Sequence, residues 1–251
     1  MRRFWRDSAV LFVREVLRYR RERAYWAGQI LFPLAFVGFV GFGLDRVTQL
    51  PGGTSYVGYL ASGMLALTVG SGAVGAGFSL IEDRESGFLR ALLIAPVSRS
   101  SIVIAKLAAR AVASLALVAL LLAVLALFTP LRLAHPAALL GSVVGITTLF
   151  VALGIWLAGR LRRLESFRTL AAFLTVPLYL FSGIFYPTET LPGPIHWLAS
   201  LNPLTYGVDL LRYGLLGVHE LPVPRSALLL GVLSALSLAL AVFSFDRRTR
   251  G

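Results

Sequence analysis

The sequence predicts an all-α membrane protein built around six transmembrane helices. Six apolar stretches each approach the roughly 20 residues that a helix needs to cross about 30 Å of hydrocarbon. Charged residues, prolines or glycines fill every gap between them. The chain is expected to be one membrane domain (residues 1–251): an interfacial helix (1–25), a six-span bundle (26–245) and a tail (246–251). The stretches are residues 26–44, 57–81, 111–128, 137–158, 170–186 and 227–245.

The basic residues predict the orientation of this bundle. Twenty of the 24 Lys and Arg residues lie before the first stretch, in the second and fourth gaps, or after the last stretch. By the positive-inside rule these parts face the cytoplasm, so both termini are expected in the cytoplasm. The expected location of the protein is the plasma (inner) membrane of a prokaryote. The formal net charge of +12 then reflects topology and affinity for anionic membrane lipids, and no nucleic-acid partner is expected.

Several classes of function are disfavoured by what the chain lacks. No charged residue lies deep inside an apolar stretch, which argues against a proton- or ion-coupled carrier. The chain has no cysteine, and its three histidines are far apart in sequence, so no metal site is expected. A P-loop ends in Gly-Lys-Ser/Thr, whereas Lys106, the only lysine, stands between Ala105 and Leu107. We expect no cofactor in this chain.

Before the first span, residues 4–23 are typical of an amphipathic helix lying on the membrane. One broad face carries apolar residues, with Leu11 as an exception on the other side. The polar face is expected to direct its arginines toward lipid phosphates. A merely basic arm is the alternative. The apolar face contains Trp5, Ala9, Phe12, Val13, Val16, Leu17 and Tyr19, and the polar face contains Asp7, Arg14, Arg18 and Arg21.

Residues 82–99, in the second gap, have the composition of a docking element. An acidic and basic cluster marks the exit from the bilayer, and a short helix with leucines on one face then runs to Pro96. Ser98 is placed to cap the helix that continues into the third span. A charged rim around a leucine ridge suits contact with a partner protein. A loop lying on the membrane surface explains the same composition.

Residues 187–217, in the last gap, predict a structured outer segment. Prolines at 192 and 194 break the chain, and Asn202 followed by Pro203 predicts a helix start. Asp209 and Arg212 have the i, i+3 spacing that allows an ion pair, and Gly217 is a natural helix end. We expect this segment to dip into or rest on the outer leaflet.

Polar residues inside the spans have two readings. Their hydroxyl groups either line a polar path or bond backbone carbonyls of their own helices. Small residues four apart, such as Ser71, Gly75 and Ser79, predict close helix packing, and Pro33 and Pro177 predict kinks. The candidate path residues are Thr68, Thr147, Thr175, Tyr179 and Ser182.

Two of these segments resemble those of ABC-2-type transporter permeases. GFLRALLIAPVSRSSIVIAK after an acidic-basic cluster is similar to their cytoplasmic loop. FSGIFYPTETLP followed by LNPLTYGVDLLR resembles the segment before their last span. The order of parts also matches, so the resemblance covers nearly the whole chain. The drug-resistance branch, of the daunorubicin-exporter type, is the most similar in appearance.

The resemblance implies roles for particular residues. Residues 82–98 would form a coupling helix on an ATP-binding subunit, although Ala91 stands where relatives often carry an acidic residue. The outer segment would form a re-entrant region that closes the translocation path. The implied docking residues are Glu82, Arg84, Glu85, Gly87, Leu89, Leu92, Pro96 and Arg99, and the implied re-entrant residues are Asn202, Pro203, Tyr206, Asp209 and Arg212.

The resemblance also implies partners and a division of labour. Two copies of an ATPase subunit would carry the ATP and magnesium, and a second permease chain, as a homodimer, would complete the path. The substrate would be an amphiphilic drug-like molecule or lipid, with polysaccharide or lipid-linked glycan as the alternative. Two other classes stay open: a membrane-embedded lipid-modifying enzyme, which needs clustered carboxylates or histidines, and a scaffold that binds an ATPase without transport.

Overall fold

A computed structural model describes residues 2–48, 50, 54–89, 94, 98–128, 133–161 and 163–248. Within these ranges every regular element is a helix, which confirms the all-α prediction. The described residues form ten α-helices of three residues or more, with a π-helical turn at Val37–Gly41 and a 3₁₀ turn at Thr188–Thr190. The α-helices are α1 (Arg2–Arg21), α2 (Arg23–Phe36), α3 (Phe42–Leu44), α4 (Tyr56–Glu85), α5 (Arg99–Leu125), α6 (Pro136–Arg160), α7 (Leu164–Leu180), α8 (Gly193–Leu201), α9 (Pro203–Leu216) and α10 (Val223–Arg248).

Among the residues that the structure describes, five helical segments are long and apolar enough to cross a membrane. They are Tyr25–Leu44, which runs through the π-helical turn, and Tyr56–Glu85, Ser100–Leu125, Pro136–Arg160 and Val223–Ser244. The predicted fifth span corresponds to α7, which has 17 residues and contains Pro177. At about 1.5 Å per residue α7 is about 25 Å long, shorter than the other five.

Helix α4 lies at the centre of the bundle. It packs most extensively on α6 and also contacts α2, α5, α7 and α9. Where α4 meets α6, Gly77 faces Gly154, and a Cβ added at Gly77 would lie 2.4 Å from the Gly154 carbonyl oxygen. Because lipid provides no hydrophobic drive between helices, such close backbone approach supplies the packing energy. The core therefore surrounds α4.

Helix α1 is amphipathic as predicted, but its two faces differ from the prediction. Trp5, Val13 and Leu17 are exposed, whereas Leu11 and Tyr19 are buried, and the helix packs on α5. The predicted polar face does not turn entirely to lipid phosphates. Arg14 pairs with Asp83 and Arg18 with Glu82 at the end of α4. Asp83 is buried, and a buried carboxylate needs a cationic partner.

Helices α8 and α9 are separated only by Asn202 and are called here the α8–α9 hairpin; α9 packs inside the bundle, whereas α8 is largely exposed. Asn202 caps α9 by accepting a hydrogen bond from the Leu204 amide at 3.0 Å, and Pro203 is its first residue, as predicted. Helix α9 ends at Gly217, which has a left-handed φ of 73°. It lies antiparallel to the first half of α6: a Cβ at Gly207 would meet Ile146, whereas one at Gly214 would meet Leu139.

Candidate functional site

An ion cluster with a buried centre joins the ends of α1, α4 and α5. We call it the α1 cluster: Arg14, Glu15, Arg18, Glu82, Asp83 and Lys106. The Lys106 ammonium lies 2.8 Å from Glu15 Oε1 and 2.8 Å from Asp83 Oδ2, and it donates to Ser79 Oγ at 2.6 Å. Arg14 Nη2 donates to Asp83 Oδ1 at 2.7 Å. Arg18 pairs with Glu82. Three cations thus face three carboxylates.

The burial of this cluster makes its pairing energetically important. The side chains of Lys106, Glu15 and Asp83 are 3%, 3% and 4% exposed. Removing one partner from such a buried pair leaves an uncompensated charge, which costs about 3–5 kcal/mol. The sequence did not reveal this arrangement: Lys106 counted there only as a topogenic charge, and Glu15 attracted no interpretation. The available signal was that α1, which is rich in arginine, also carries two acidic residues, Asp7 and Glu15.

The α1 cluster directly contacts the segment between α4 and α5. The guanidinium carbon of Arg14 lies 3.7 Å from the centroid of the Phe88 ring. Gly87, with a φ of 76°, turns the chain after α4, and helical residues resume at Phe88. Residues 82–85 therefore form the last turn of α4, so the predicted coupling helix begins later than residue 82.

The described part of this segment exposes one large apolar side chain. Ile94 is 86% exposed, whereas Leu89 is 3% exposed and packs in the core. Leu92, Pro96 and the side chain of Arg99 lie outside the description, so their docking roles stay predictions. Beyond them, Ser98 Oγ accepts a hydrogen bond from the Ser101 amide at 3.2 Å, which confirms the predicted cap of α5.

The other predicted docking residues surround the end of α4. Glu82 and Glu85 are exposed. Arg84 Nη1 donates to the carbonyl oxygens of Ala158 at 3.1 Å and Leu161 at 2.8 Å. These carbonyls belong to the end of α6, where backbone acceptors lack helical partners and a cation is favourable. Arg84 therefore ties α4 to α6 at the end of the bundle that carries the α1 cluster.

A second polar cluster lies at the opposite end of α4. We call it the α9 cluster: Tyr59, Ser62, Asp209, Arg212 and Glu220. Arg212 is 1% exposed. Its Nη1 donates to Glu220 Oε1 at 2.8 Å, its Nη2 to the Gly183 carbonyl at 2.8 Å and its Nε to Ser62 Oγ at 3.3 Å. The guanidinium also lies 3.5 Å from the Tyr59 ring centroid.

The predicted pairing of Asp209 with Arg212 is wrong. Asp209 Oδ1 accepts the Glu220 amide at 2.7 Å, and Oδ2 accepts Ser226 Oγ–H at 2.7 Å. Glu220 pairs with Arg212 instead, and its Oε2 accepts the Thr188 amide at 2.9 Å. Asp209 thus holds the linker before α10, and Glu220 neutralises the arginine. The role of Glu220 was not predicted from the sequence, because only the folded linker brings Glu220 to α9.

The remaining re-entrant residue, Tyr206, is buried on α9. Its hydroxyl donates to the Ser200 carbonyl at 2.6 Å, which joins α9 to α8. Together with Asn202, whose amide donates to the Leu178 carbonyl at 2.7 Å, it fixes the hairpin against α7. The predicted outer segment is therefore a packed unit, joined to α4, α7 and α10 by polar contacts.

The candidate path residues do not form one polar surface within this chain. The hydroxyls of Thr68, Thr175 and Ser182 donate to the carbonyls of Met64, Ala171 and Tyr179, at 2.7, 2.8 and 2.8 Å. This is the second of the two readings given above. Within the described part of the chain, Thr147 Oγ1 and the Tyr179 hydroxyl are buried without a hydrogen-bond partner.

Comparison with known proteins identifies the family. The family described as ABC-2 type transporter matches residues 7–216. The chain belongs to the ABC-2 type transporter family. Among its relatives, the putative transport permease ycf38 of Porphyra purpurea is 34% identical over 206 residues, covering 78% of this chain and 68% of that protein.

Two further relatives extend the comparison. The inner membrane transport permease YadH of Escherichia coli K12 is 25% identical over an alignment covering 100% of this permease and 98% of YadH. Nodulation protein J of Rhizobium leguminosarum bv. viciae is 27% identical, covering 82% of this permease and 79% of that protein. The resemblance found in the two loop motifs is therefore confirmed as family membership, and the chain is a membrane protein of a transport family.

Proposed function

We propose that this permease is the membrane-spanning subunit of an ATP-driven exporter. Its cargo is an amphiphilic drug-like molecule, a lipid or a glycan, and a separate ATPase subunit binds ATP and magnesium. The observation that carries this proposal is the contact between the segment after α4 and the α1 cluster, through Arg14 and Phe88. A partner seated on this segment presses on three helices at once.

The α1 cluster is suited to transmit such a movement. Lys106 belongs to α5, Asp83 to α4 and Glu15 to α1, and the 2.8 Å contacts hold the three helices together. Separating them would strand buried charges, so they move as one body. Arg84 extends this body to α6. ATP-driven displacement of the segment thereby tilts the spans and alternates access to the path.

The six-span topology is part of the proposal. Helix α7 starts three residues after Leu161, whose carbonyl is bonded to Arg84 near one end of α4. The chain then reaches Gly183, whose carbonyl accepts from Tyr59 near the other end of α4 at 3.0 Å. The segment containing α7 thus travels the length of the bundle. With six spans, the positive-inside rule places both termini in the cytoplasm.

We also propose that two copies of the permease face each other, with two ATPase subunits on their cytoplasmic side. The hydroxyls of Thr68, Thr175 and Ser182 are occupied by backbone carbonyls of their own chain. A passage between two copies therefore fits better than one through a single copy. The α8–α9 hairpin, fixed by the α9 cluster, closes the path on the outer side.

Docking can be tested at Ile94. Replacing it by aspartate puts a charge on the exposed apolar side chain of the segment, and co-purification of the ATPase should be lost. Val47→Asp is the matched control, because Val47 is also exposed (74%) and lies near the start of α4. Assembly of Ile94→Asp with the ATPase at the control's level would refute docking at this segment.

Orientation can be tested with single cysteines, because the natural chain has none. Arg20→Cys, on an exposed part of α1, should react with an impermeant maleimide only after the membrane is opened. Val47→Cys should react in intact cells. Labelling of both positions in intact cells, or of neither, would contradict the proposed topology.

A further inference from the structure

An apolar groove of about 330 Å³ opens on the side of the bundle next to the N-terminal end of α9. Side chains from α6, α7 and α10 form its walls, and Pro203, the first residue of α9, closes one end. The walls contain half-buried leucines and Trp156, and Leu240 is exposed. The lining includes Leu149, Leu153, Trp156, Leu178, Pro203, Ser237 and Leu240.

The groove exists because α9 covers only the first half of α6. Gly207 and Gly214 of α9 pack tightly on Ile146 and Leu139, in the first half of α6. Helix α9 begins at Pro203, so the wall formed by the second half of α6 has no such cover. In a membrane protein, hydrocarbon is the material available to fill an apolar gap on this surface.

The end of the groove away from Pro203 carries a positive charge. The guanidinium carbon of Arg160 lies 3.8 Å from the centroid of the Trp156 ring, so the cation stacks on a groove-lining side chain. Arg160 is exposed, as are Arg163 and Glu165 at the start of α7. These three charges sum to one positive charge. Arginine suits phosphate because its donors form a planar fork.

We propose that the groove binds an anionic phospholipid, with an acyl chain along α6 and the phosphate at Arg160. From Leu149 to Trp156 the groove follows α6 for about 10 Å, and Arg160 lies one turn further. One leaflet contributes about 15 Å of hydrocarbon. The groove therefore covers the deeper part of one acyl chain, and Arg160 lies at headgroup depth. The end of the bound acyl chain contacts Pro203, the first residue of α9.

This inference rests on family membership and not on the proposed direction or energy source of transport. With both termini in the cytoplasm, the lipid belongs to the inner leaflet. The binding test described below uses the same lipids in both leaflets. It therefore gives the same answer whichever way the permease is inserted and whether or not an ATPase is present.

The test uses the fluorescence of Trp156 in the full-length permease. The variant Trp5→Phe/Trp26→Phe/Trp197→Phe leaves Trp156 as its only tryptophan. It is reconstituted in phosphatidylcholine containing one fifth of a phospholipid with brominated acyl chains, either phosphatidylglycerol or phosphatidylcholine. Bromine quenches tryptophan on contact. We expect an about fivefold preference for brominated phosphatidylglycerol, the effect of one arginine at a membrane surface.

Three variants in the single-tryptophan background identify the groove. Arg160→Gln should remove the preference for phosphatidylglycerol, whereas Arg168→Gln, an exposed arginine on α7, should keep it. Ser237→Phe fills part of the groove and should reduce quenching by both lipids. Equal quenching by both lipids in the parent variant, or a preference that survives Arg160→Gln, would overturn the proposal. Absence of quenching would also overturn it, because it would mean that protein covers the groove.

Discussion

The α1 cluster predicts a specific response to the loss of Lys106. Lys106→Met keeps most of the side-chain volume and removes the cation that lies 2.8 Å from both Glu15 and Asp83. Two carboxylates then share a buried site with Arg14, which is 36% exposed and contacts both of them. Breaking a buried pair costs about 3–5 kcal/mol, and the remaining arginine places this variant at the lower limit, about 3 kcal/mol.

The assay is thermal unfolding of the purified permease in detergent. For a chain of this size, 3 kcal/mol corresponds to a decrease in Tm of roughly 6–12 °C. A second change separates charge from packing: adding Glu15→Gln to Lys106→Met removes the stranded carboxylate and should recover about half of the loss. Arg20→Met, on the exposed side of α1, is the control and should change stability by no more than about 0.5 kcal/mol.

Two results would refute this reasoning. The first is a free energy of unfolding for Lys106→Met within about 0.5 kcal/mol of the parent's, which would mean that the cation contributes nothing net. The second is a double variant that is less stable than Lys106→Met alone. Glu15 would then be stabilising through contacts other than its ion pair, and the balance of three cations against three carboxylates would not explain the cluster.

Other consequences of the structure can be measured in the same preparation. Arg212→Lys keeps the charge but not the planar fork, so it should cost about 1–3 kcal/mol in the unfolding assay. Gly77→Ala forces a Cβ to 2.4 Å from the Gly154 carbonyl and should cost about 1–3 kcal/mol, with lower yield of folded protein. Burial raises the pKa of Tyr19 to about 12. In the unfolded chain the Tyr19 hydroxyl ionises near the usual tyrosine pKa of about 10. The free energy of unfolding should therefore fall as the pH rises from about 10 to about 12. Tyr19→Phe should remove that part of the decrease.

Local sequence signals predicted the ends of helices well. Asn202 followed by Pro203 predicted the start of α9, Gly217 its end and Ser98 the start of α5, and all three are confirmed. Each of these features depends on groups within a few residues of each other. Asn202 and Ser98 accept from unpaired amides of the first helical turn, Pro203 has a fixed φ, and Gly217 adopts a left-handed φ. A single sequence carries that information directly.

The partners of the buried charges could not be predicted in this way. Arg212 has Asp209 at a favourable helical spacing, yet its ion-pair partner is Glu220 and its guanidinium stacks on Tyr59. Spacing decides which residues can meet on an isolated helix. Inside the bundle, the choice depends on which neighbouring helix and linker arrive at the same point, and Asp209 is already used by Ser226.

Helix packing shows the same difference between local and tertiary information. The small residues of α4 indicated a packing seam, but Gly75 makes room for Arg110, whose Nη2 would lie 2.6 Å from an added Cβ. The backbone of α4 approaches another backbone closely at two glycines. Gly77 lies against Gly154, and Gly63, near the other end of α4, lies against the Ile184 carbonyl. Small residues can admit either a backbone or a long side chain, and the sequence of one helix does not distinguish them.

The α1 cluster and the α9 cluster both contain residues of α4, at opposite ends of that helix. Asp83 and Tyr59 are 24 residues apart, which is about 36 Å along a straight helix. A buried, close-packed helix does not bend easily within such a bundle, because its neighbours occupy every side. Movement of the segment at Phe88 must therefore either shift α4 as a body or break the α1 cluster. If α4 shifts, as the proposed coupling requires, the contacts of Tyr59 and Ser62 with Arg212 change too, so α4 connects the α1 cluster with the α9 cluster.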